Sequence, residues 1–125
     1  MIFGIGHDIV ENQRIKQSIE KYGDKFVERI LTPSEQEILT TKKDKVKFIA
    51  KRFAAKEAFA KACGTGLRSP ILLQSITIMN DELGKPYFEL SKEIEAWLKE
   101  NLISHCHLSI SDEINLSSAF VILEK

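Results

Sequence analysis

Residues 52–66 read Arg-Phe-Ala-Ala-Lys-Glu-Ala-Phe-Ala-Lys-Ala-Cys-Gly-Thr-Gly, which predicts a helix with a carboxylate on its apolar side. At 3.6 residues per turn, Glu57 lies on the same stripe as Phe53, so it points inward or into a cleft. The members of this stripe are Ile49, Phe53, Glu57, Ala60 and Gly64. Because a buried carboxylate is costly without compensation, we expect a positive group beside Glu57. The candidates are the side chains of Arg52, Lys56 and Lys61, or a metal ion.

The helix around this stretch is predicted to cover residues 44–63 and to end at the glycine pair Gly64 and Gly66. Two interpretations of the pair remain open. Its backbone N–H groups are able to bind a phosphate. A helix C-terminus has the wrong dipole for an anion, however, and a helix cap alone also explains the glycines.

Upstream, residues 2–10 read as a buried strand in which Gly4, Gly6 and Asp8 alternate on one face. Glycines beside an acid predict a backbone that a ligand approaches closely. Asp8 and Glu57, on separate elements, suit Mg²⁺, which takes one or two protein carboxylates together with water and phosphate oxygens. No His/Cys cluster argues for zinc. Structural salt bridges to nearby basic residues are the alternative.

The remaining pattern predicts an α+β chain: an N-terminal strand, a helical block, then mostly antiparallel strands with one intervening helix. Helical signals cover residues 12–31, and the sequence Thr-Pro-Ser-Glu at 32–35 predicts a capping box that begins a helix to residue 41. Later elements are expected as strands at 75–79 and 87–90, a helix at 91–101, and strands at 106–110 and 117–123. No linker or repeat divides the chain, so residues 1–125 are predicted to form a single domain.

The 18 basic and 18 acidic side chains are unevenly distributed. Residues 1–68 carry 14 basic and 9 acidic groups, whereas residues 69–125 carry 4 and 9. The basic segment 42–68 is suited to phosphates or to an acidic partner, with a solvated helix face as the alternative. A nucleic-acid-binding module is therefore a second functional hypothesis, although the aromatic residues of this segment look like core.

The two cysteines, Cys63 and Cys106, show no disulfide framework and no metal-ligand spacing, so we expect reduced core residues. The first residues lack the basic start of a signal peptide, and no segment has the length of a membrane span. The expectation is a cytoplasmic protein with no membrane partner.

Three histidines complete the set of candidate residues. His7 alternates onto the face opposite Asp8, which favours a structural role. His105 and His107 share one strand face, and Ser109 and Ser111 continue it. This polar row indicates contact with a polar ligand or plain solvation, and the pattern alone does not decide.

Four stretches, in order, resemble the motifs of the holo-acyl-carrier-protein synthases, the small single-domain branch of the phosphopantetheinyl transferases. The first is Gly4-Ile5-Gly6-His7-Asp8-Ile9-Val10 with Arg14, and the second is residues 52–66. The third is Asn80-Asp81-x-x-Gly84-Lys85-Pro86, and the fourth is His107-Leu108-Ser109-Ile110-Ser111. The likeness spans residues 4 to about 124.

The resemblance implies the 4′-phosphopantetheinyl transferase fold. It also implies transfer of the 4′-phosphopantetheine arm of coenzyme A to a serine of an apo-acyl carrier protein, for fatty acid biosynthesis. Adenosine 3′,5′-bisphosphate is the other product. By the same likeness, Asp8 and Glu57 hold Mg²⁺ on the coenzyme A pyrophosphate, and Lys61 completes the catalytic set near the phosphates. The coenzyme A site would further include Gly64, Gly66, Asn80, Gly84, Pro86 and His107. A homotrimer with active sites between subunits is implied as well.

The resemblance also places Arg14 toward the acidic carrier protein. Lys21 and Lys25 are added as candidates because their charge complements such a partner, with a solvated helix face as the alternative. Four residues depart from the family's pattern and receive no role: His7, Asp112, Leu116 and Ser117. A third hypothesis is a family-like protein without activity that serves as a structural subunit.

Overall fold

A computed structural model describes all 125 residues, and it places one long helix against a three-stranded sheet. The strands are β1 (Ile2–Glu11), β2 (Ile76–Asn80), β3 (Pro86–Leu90), β4 (His105–Asp112) and β5 (Leu116–Glu124). The helices are α1 (Asn12–Tyr22), α2 (Asp24–Ile30), α3 (Pro33–Leu39), α4 (Lys45–Cys63) and α5 (Lys92–Glu100). The α+β class predicted from the sequence is confirmed. None of these helices combines the length and the apolar character needed to cross a membrane.

The larger sheet has the strand order β1-β5-β4, and both pairs are antiparallel. Its register brings His7, Phe120 and Ser109 into one row across the three strands. One face of the sheet packs on α4, where Ala119, Val121 and Leu123 of β5 are buried. The side chains between them point to the opposite face, which we call the outer sheet face. The second sheet is the hairpin β2–β3.

Glycines in β1 allow α4 to lie unusually close to the sheet. A Cβ atom at Gly6 would overlap the carbonyl oxygen of Ala58 and lie 2.7 Å from the amide nitrogen of Ala62. A Cβ at Gly4 would overlap the carbonyl oxygen of Ala62. The prediction that these glycines receive a ligand is therefore wrong: the close neighbour is the backbone of α4.

Helix α4 is buried around most of its circumference. Ile49 and Ala60 are buried as the apolar stripe predicts, whereas Phe53 and Glu57 are only partly buried. Of the two orientations expected for Glu57, the one toward a cleft is therefore correct. The fully buried charge on this helix belongs instead to its neighbour Lys56.

Lys56 forms the centre of a buried polar cluster. Its ammonium group donates to Glu35 Oε1 at 2.6 Å and to the carbonyl oxygens of Ile30 at 2.7 Å and Leu73 at 3.0 Å. Burial lowers the pKa of Lys56, and the Glu35 carboxylate opposes that change. Lys56, one of the candidates for the positive group beside Glu57, does not have that role, because all three of its N–H donors are used inside the core.

The same carboxylate gives Glu35 a second role beyond the predicted capping box. The Thr32 N–H donates to Glu35 Oε1 at 2.9 Å, which confirms the box, and the Ile78 N–H donates to Oε2 at 2.9 Å. Arg52 Nε lies 3.6 Å from Oε2. One acidic side chain thus joins α3, α4 and β2. Its charge is offset by two cations from α4, as a buried carboxylate requires.

Candidate functional site

The two acids singled out from the sequence line one cleft, which we call the carboxylate cleft. Asp8 comes from β1 and Glu57 from α4, and the cleft between them has a volume of about 470 Å³. Arg14 of α1 lines the same cleft. The remaining lining includes Ile15, Phe26, Phe53 and Leu116. The structure therefore brings together three of the predicted site residues, with apolar side chains around them.

Lys61 bridges the edge of this cleft to the backbone of β1. Its ammonium group donates to Asp8 Oδ1 and to the carbonyl oxygen of His7, both at 3.0 Å. The sequence left open whether Lys61 would pair with Glu57, and the structure pairs it with Asp8 instead. Asp8, Glu57 and Lys61 thus form a compact set of charges on two adjacent elements.

Burial chiefly raises the pKa of Glu57, and the negative charge of Asp8 raises it further. The Lys61 ammonium acts in the opposite direction and is the weaker influence. Two carboxylates that repel each other in a partly desolvated cleft are stabilised by a cation. A cation is therefore expected to bind beside these two carboxylates.

The donor set fits a divalent cation that prefers oxygen. It offers two carboxylates, and no group of three His, Cys, Asp or Glu side chains in the chain is arranged to hold a metal ion. Zinc and other metals that need three or four protein ligands are poorly suited to this set. Mg²⁺ fits, because it keeps several waters and takes one or two carboxylates together with phosphate oxygens.

A second concave site lies at the N-terminal end of α4, and we call it the basic pocket. It has a volume of about 490 Å³. Its cationic lining residues are Lys42, Lys43, Lys47, Lys51 and Arg52. Asn80, Gly84 and Pro86 of the predicted third motif line its other side.

The third motif is ordered by its own hydrogen bonds. Asn80 Nδ2 donates to the Gly84 carbonyl at 3.0 Å, and Arg52 Nη2 donates to Asn80 Oδ1 at 3.3 Å. Gly84 adopts a positive φ of 89°, a conformation that glycine accepts without strain. The β2–β3 turn is thereby fixed against α4, with Asn80 between the two.

The remaining predicted residues lie outside both sites. Gly64 caps α4 in the left-handed conformation, and Gly66 also has a positive φ, so the cap interpretation is supported. His107 lies on the outer sheet face, where its Nε2 is 2.9 Å from Glu124 Oε1. Lys21 and Lys25 lie on α1 and α2, and neither is among the residues that line the carboxylate cleft.

Sequence reasoning missed residues that shape both sites. Asp112, to which no role was given, lines the basic pocket and lies 3.2 Å from Lys47 Nζ. Leu116 lines the carboxylate cleft, whereas Ser117 is buried and donates to Asn12 Oδ1 at 2.7 Å. The run of basic residues that begins at residue 42 indicated a basic site, but it did not indicate which other residues line the pocket.

Comparison with known proteins places this arrangement in a family. The sequence model of the 4′-phosphopantetheinyl transferase superfamily matches residues 4–118. The chain therefore belongs to this superfamily of transferases, and the prediction of an enzyme is confirmed. The match includes the carboxylate cleft and the basic pocket.

Individual relatives are similar along their whole length. A holo-acyl-carrier-protein synthase of Nitrosomonas eutropha is 51% identical, with 100% of both chains covered. The crystal structure of such a synthase from Neisseria meningitidis has a TM-score of 0.97 at 48% identity, again with 100% of both chains covered. A synthase from Bacillus anthracis, solved in complex with CoA (3′,5′-ADP), has a TM-score of 0.84 at 40% identity and covers 100% of this chain and 98% of its own.

Proposed function

We propose that this chain transfers the 4′-phosphopantetheine arm of coenzyme A to a serine of an acyl carrier protein. The observation that carries the proposal is that Asp8 and Glu57 line the same cleft in a chain that belongs to this transferase superfamily. Attack on a pyrophosphate phosphorus depends mainly on positioning and on neutralising charge. Adjacent carboxylates and an ammonium group supply the means for both.

In the proposed reaction the serine oxygen forms a bond to the phosphorus that carries the pantetheine arm. The bond from that phosphorus to the bridging pyrophosphate oxygen breaks, and adenosine 3′,5′-bisphosphate leaves with the electron pair. The serine proton has two candidate acceptors in the cleft, the Glu57 carboxylate and a water held beside Asp8. Lys61 stabilises the charge that develops on the phosphate oxygens.

The role proposed for Mg²⁺ rests on the fit of the two carboxylates described above. Asp8 and Glu57 would hold the ion, which supplies Lewis-acid neutralisation of the pyrophosphate. Lys61 Nζ lies 3.0 Å from Asp8 Oδ1, and this ion pair fixes the orientation of the carboxylate. The raised pKa of Glu57 means that it binds a cation better as the pH rises.

We further propose that the adenosine phosphates lie in the basic pocket and that the two sites act together across a subunit boundary. The carboxylate cleft and the basic pocket have no lining residue in common. The outer sheet face leaves Ile5, Ile9 and Phe120 exposed by 58%, 59% and 40%. Apolar surface of this kind is typical of a protein–protein interface. A homotrimer, as the family resemblance implies, would cover it.

The acidic carrier protein would dock beside the carboxylate cleft. Arg14 lines the cleft, and Lys21 on the same helix and Lys25 on α2 are further candidates for contact with the carrier. Complementary charge of this kind speeds encounter and fixes orientation more than it adds affinity. Arg14→Glu should therefore raise the KM for the carrier with little effect on the KM for coenzyme A.

No observation favours the nucleic-acid alternative. The aromatic residues of segment 42–68 are Phe48, Phe53 and Phe59, and the first and last are buried in the core. Phe53 is partly buried and lines the carboxylate cleft, so the basic segment lacks a row of exposed aromatic side chains on which successive bases stack.

The test is mass spectrometry of an apo-acyl carrier protein incubated with coenzyme A, Mg²⁺ and this protein. The expected result is a mass gain of one phosphopantetheine arm on the carrier serine. A carrier of unchanged mass, with an established transferase modifying the same preparation, refutes the proposal.

A further inference from the structure

We propose that Asp112 is the internal counter-anion of the basic pocket, a positioning residue that yields its lysines to the phosphates of an incoming ligand. The inference rests on the proposed function, because it assigns the pocket to a phosphate-bearing substrate. It adds a specific claim: this carboxylate sets how tightly, and with what salt dependence, the pocket binds polyanions.

Asp112 is the last residue of β4, and its side chain contacts lysines in the first turns of α4. Its Oδ2 lies 3.2 Å from Lys47 Nζ, and its Oδ1 lies 3.9 Å from Lys51 Nζ. The two lysines are four residues apart and therefore on the same helix face. Each of the three side chains is about one third exposed or less, at 35%, 26% and 31%. The carboxylate thus lies between two ammonium groups at the pocket wall.

The other charged groups of the pocket are not equivalent to Asp112. The Asp44 carboxylate accepts from the Lys47 backbone N–H at 3.0 Å and serves as the N-cap of α4. Arg52 is engaged by Glu35 and by Asn80. This leaves the ammonium groups of the four lysines, with Asp112 as the one lining carboxylate that only side-chain cations hold.

Phosphate oxygens pair with these ammonium groups as the Asp112 carboxylate does, and a phosphate group carries more negative charge than a carboxylate. In the empty pocket, Asp112 keeps Lys47 and Lys51 oriented and reduces the repulsion among neighbouring ammonium groups. When a phosphate enters, it has to replace Asp112 as their partner and also experiences the repulsion of that carboxylate. Asp112 therefore lowers the affinity of the pocket for anions, and the repulsion that it exerts grows with the charge of the ligand.

Salt dependence distinguishes this role from a purely structural one. Lysines paired with Asp112 attract few anions from solution, so a ligand that binds these lysines displaces few of them. In Asp112→Asn the lysines attract anions from solution, and those ions are released when the ligand binds. The slope of log Kd against log salt should become steeper by about one.

The experiment measures binding of adenosine 3′,5′-bisphosphate by titration calorimetry over a series of salt concentrations. We expect Asp112→Asn to bind the probe about threefold to tenfold more tightly at low salt, with the steeper slope. The control is Glu113→Gln, which removes the same charge one residue further along but does not line the basic pocket, and it should match the wild type. In transfer assays the change for Asp112→Asn should reside in the KM for coenzyme A rather than in kcat.

Equal or weaker binding by Asp112→Asn, with an unchanged salt slope, overturns the inference. Should this variant unfold, Asp112→Ser gives the same comparison with a smaller side chain. A wild-type protein that binds neither the bisphosphate nor coenzyme A contradicts the proposed function itself. Binding by the wild type without an effect of Asp112 contradicts the counter-anion role alone.

Discussion

At the scale of single residues, Lys56 and Glu57 are chain neighbours in opposite surroundings. A helix turns by about 100° between consecutive residues, so one side chain enters the core while the next faces the carboxylate cleft. The apolar stripe predicted that Glu57 points inward or into a cleft, and it did not decide between the two. The burial of Lys56 was not, because its partner Glu35 is 21 residues away and no local pattern joins them.

Replacing Lys56 tests the buried cluster. Lys56→Met keeps most of the side-chain volume but leaves Glu35 buried beside Arg52 at 3.6 Å as its only remaining cation. We expect a loss of about 3–5 kcal/mol in the free energy of unfolding, measured by urea denaturation. The exposed Lys45→Met is the control. If the two variants have the same stability, Lys56 does not compensate Glu35.

The double variant Glu35→Gln/Lys56→Met separates pairing from packing. Removing both charges avoids an uncompensated carboxylate, so the double variant should be more stable than Lys56→Met alone. A double variant that is less stable than the single one would mean that the remaining hydrogen bonds of Glu35 matter more than its charge.

Replacing Glu57 separates activity from stability. Glu57→Gln should reduce transfer by at least about 100-fold, because the cleft loses a charge that the pyrophosphate site needs. Since the folded-state pKa of Glu57 is raised, its contribution to stability is present at low pH and is lost as the pH rises through that pKa. Glu57→Gln should therefore have a higher melting temperature than the wild type at neutral pH.

The raised pKa of Glu57 in the metal-free protein predicts a pH dependence of transfer at limiting Mg²⁺. Under that condition transfer should fall, with decreasing pH, at a higher pH than an ordinary glutamate would give, because a protonated Glu57 binds cations less well. The exposed Glu37→Gln should keep the wild-type profile and melting temperature. Full activity in Glu57→Gln would remove Glu57 from the site.

At the scale of elements, the contact between β1 and α4 positions the site, because it brings Asp8 and Glu57 to one cleft. Gly6→Ala would place a methyl group against the Ala58 carbonyl and 2.7 Å from the Ala62 nitrogen. Since neither contact is a flexible side-chain end, we expect a loss of about 1–3 kcal/mol in unfolding free energy, and more if the backbone does not shift. The exposed Gln13→Ala is the control. If Gly6→Ala is as stable as the wild type, α4 shifts away from β1 without cost, and their close contact does not position the site.

Local patterns predicted most elements to within one or two residues. The capping box at Thr32 and Glu35, the Gly64 cap and the beginning of α5 next to Ser91 all lie where the sequence indicates. The break between α1 and α2 at Gly23 was missed because helical spacing continues on both sides of it. The function of Gly4 and Gly6 was misread for another reason: a glycine face indicates close approach but does not identify what approaches.

At the scale of the whole molecule, the α+β architecture followed from the order of the elements, whereas the separation of the two sites did not. Asn80 and Glu57 belong to one predicted set, yet they line different concavities. Sequence patterns give spacing along the chain and contain no information on a subunit boundary. The single domain, the cytoplasmic location and the homotrimer stay predictions.

A mixing experiment tests the proposed assembly. Glu57→Gln has an altered cleft, and the double variant Lys47→Glu/Lys51→Glu has an altered basic pocket, so each should be inactive alone. Suppose that each active site combines the cleft of one subunit with the pocket of another. When equal amounts of the two variants are refolded together, about a quarter of the sites then combine an unaltered cleft with an unaltered pocket. The measurement is the transfer rate of the mixture. Activity that stays at the level of the separate variants would place both halves in one subunit.

The outer sheet face gives an independent measurement of assembly. Phe120→Asp puts a charge in the centre of the exposed apolar surface, beside His7 across the strand pair. We expect a wild-type oligomer and a monomeric variant by sedimentation velocity, because a charge buried at an interface without a partner is costly. The control is Leu83→Asp, an exposed apolar residue outside the larger sheet. An identical sedimentation coefficient for wild type and Phe120→Asp would exclude this face as the interface.

The most direct test of the central claim is the mass of an apo-acyl carrier protein after incubation with coenzyme A, Mg²⁺ and this protein. The pairing of Asp8 and Glu57 in one cleft predicts that the carrier serine gains one phosphopantetheine arm, and that the gain is lost in Glu57→Gln. A carrier whose mass is unchanged by the folded wild-type protein would contradict the account.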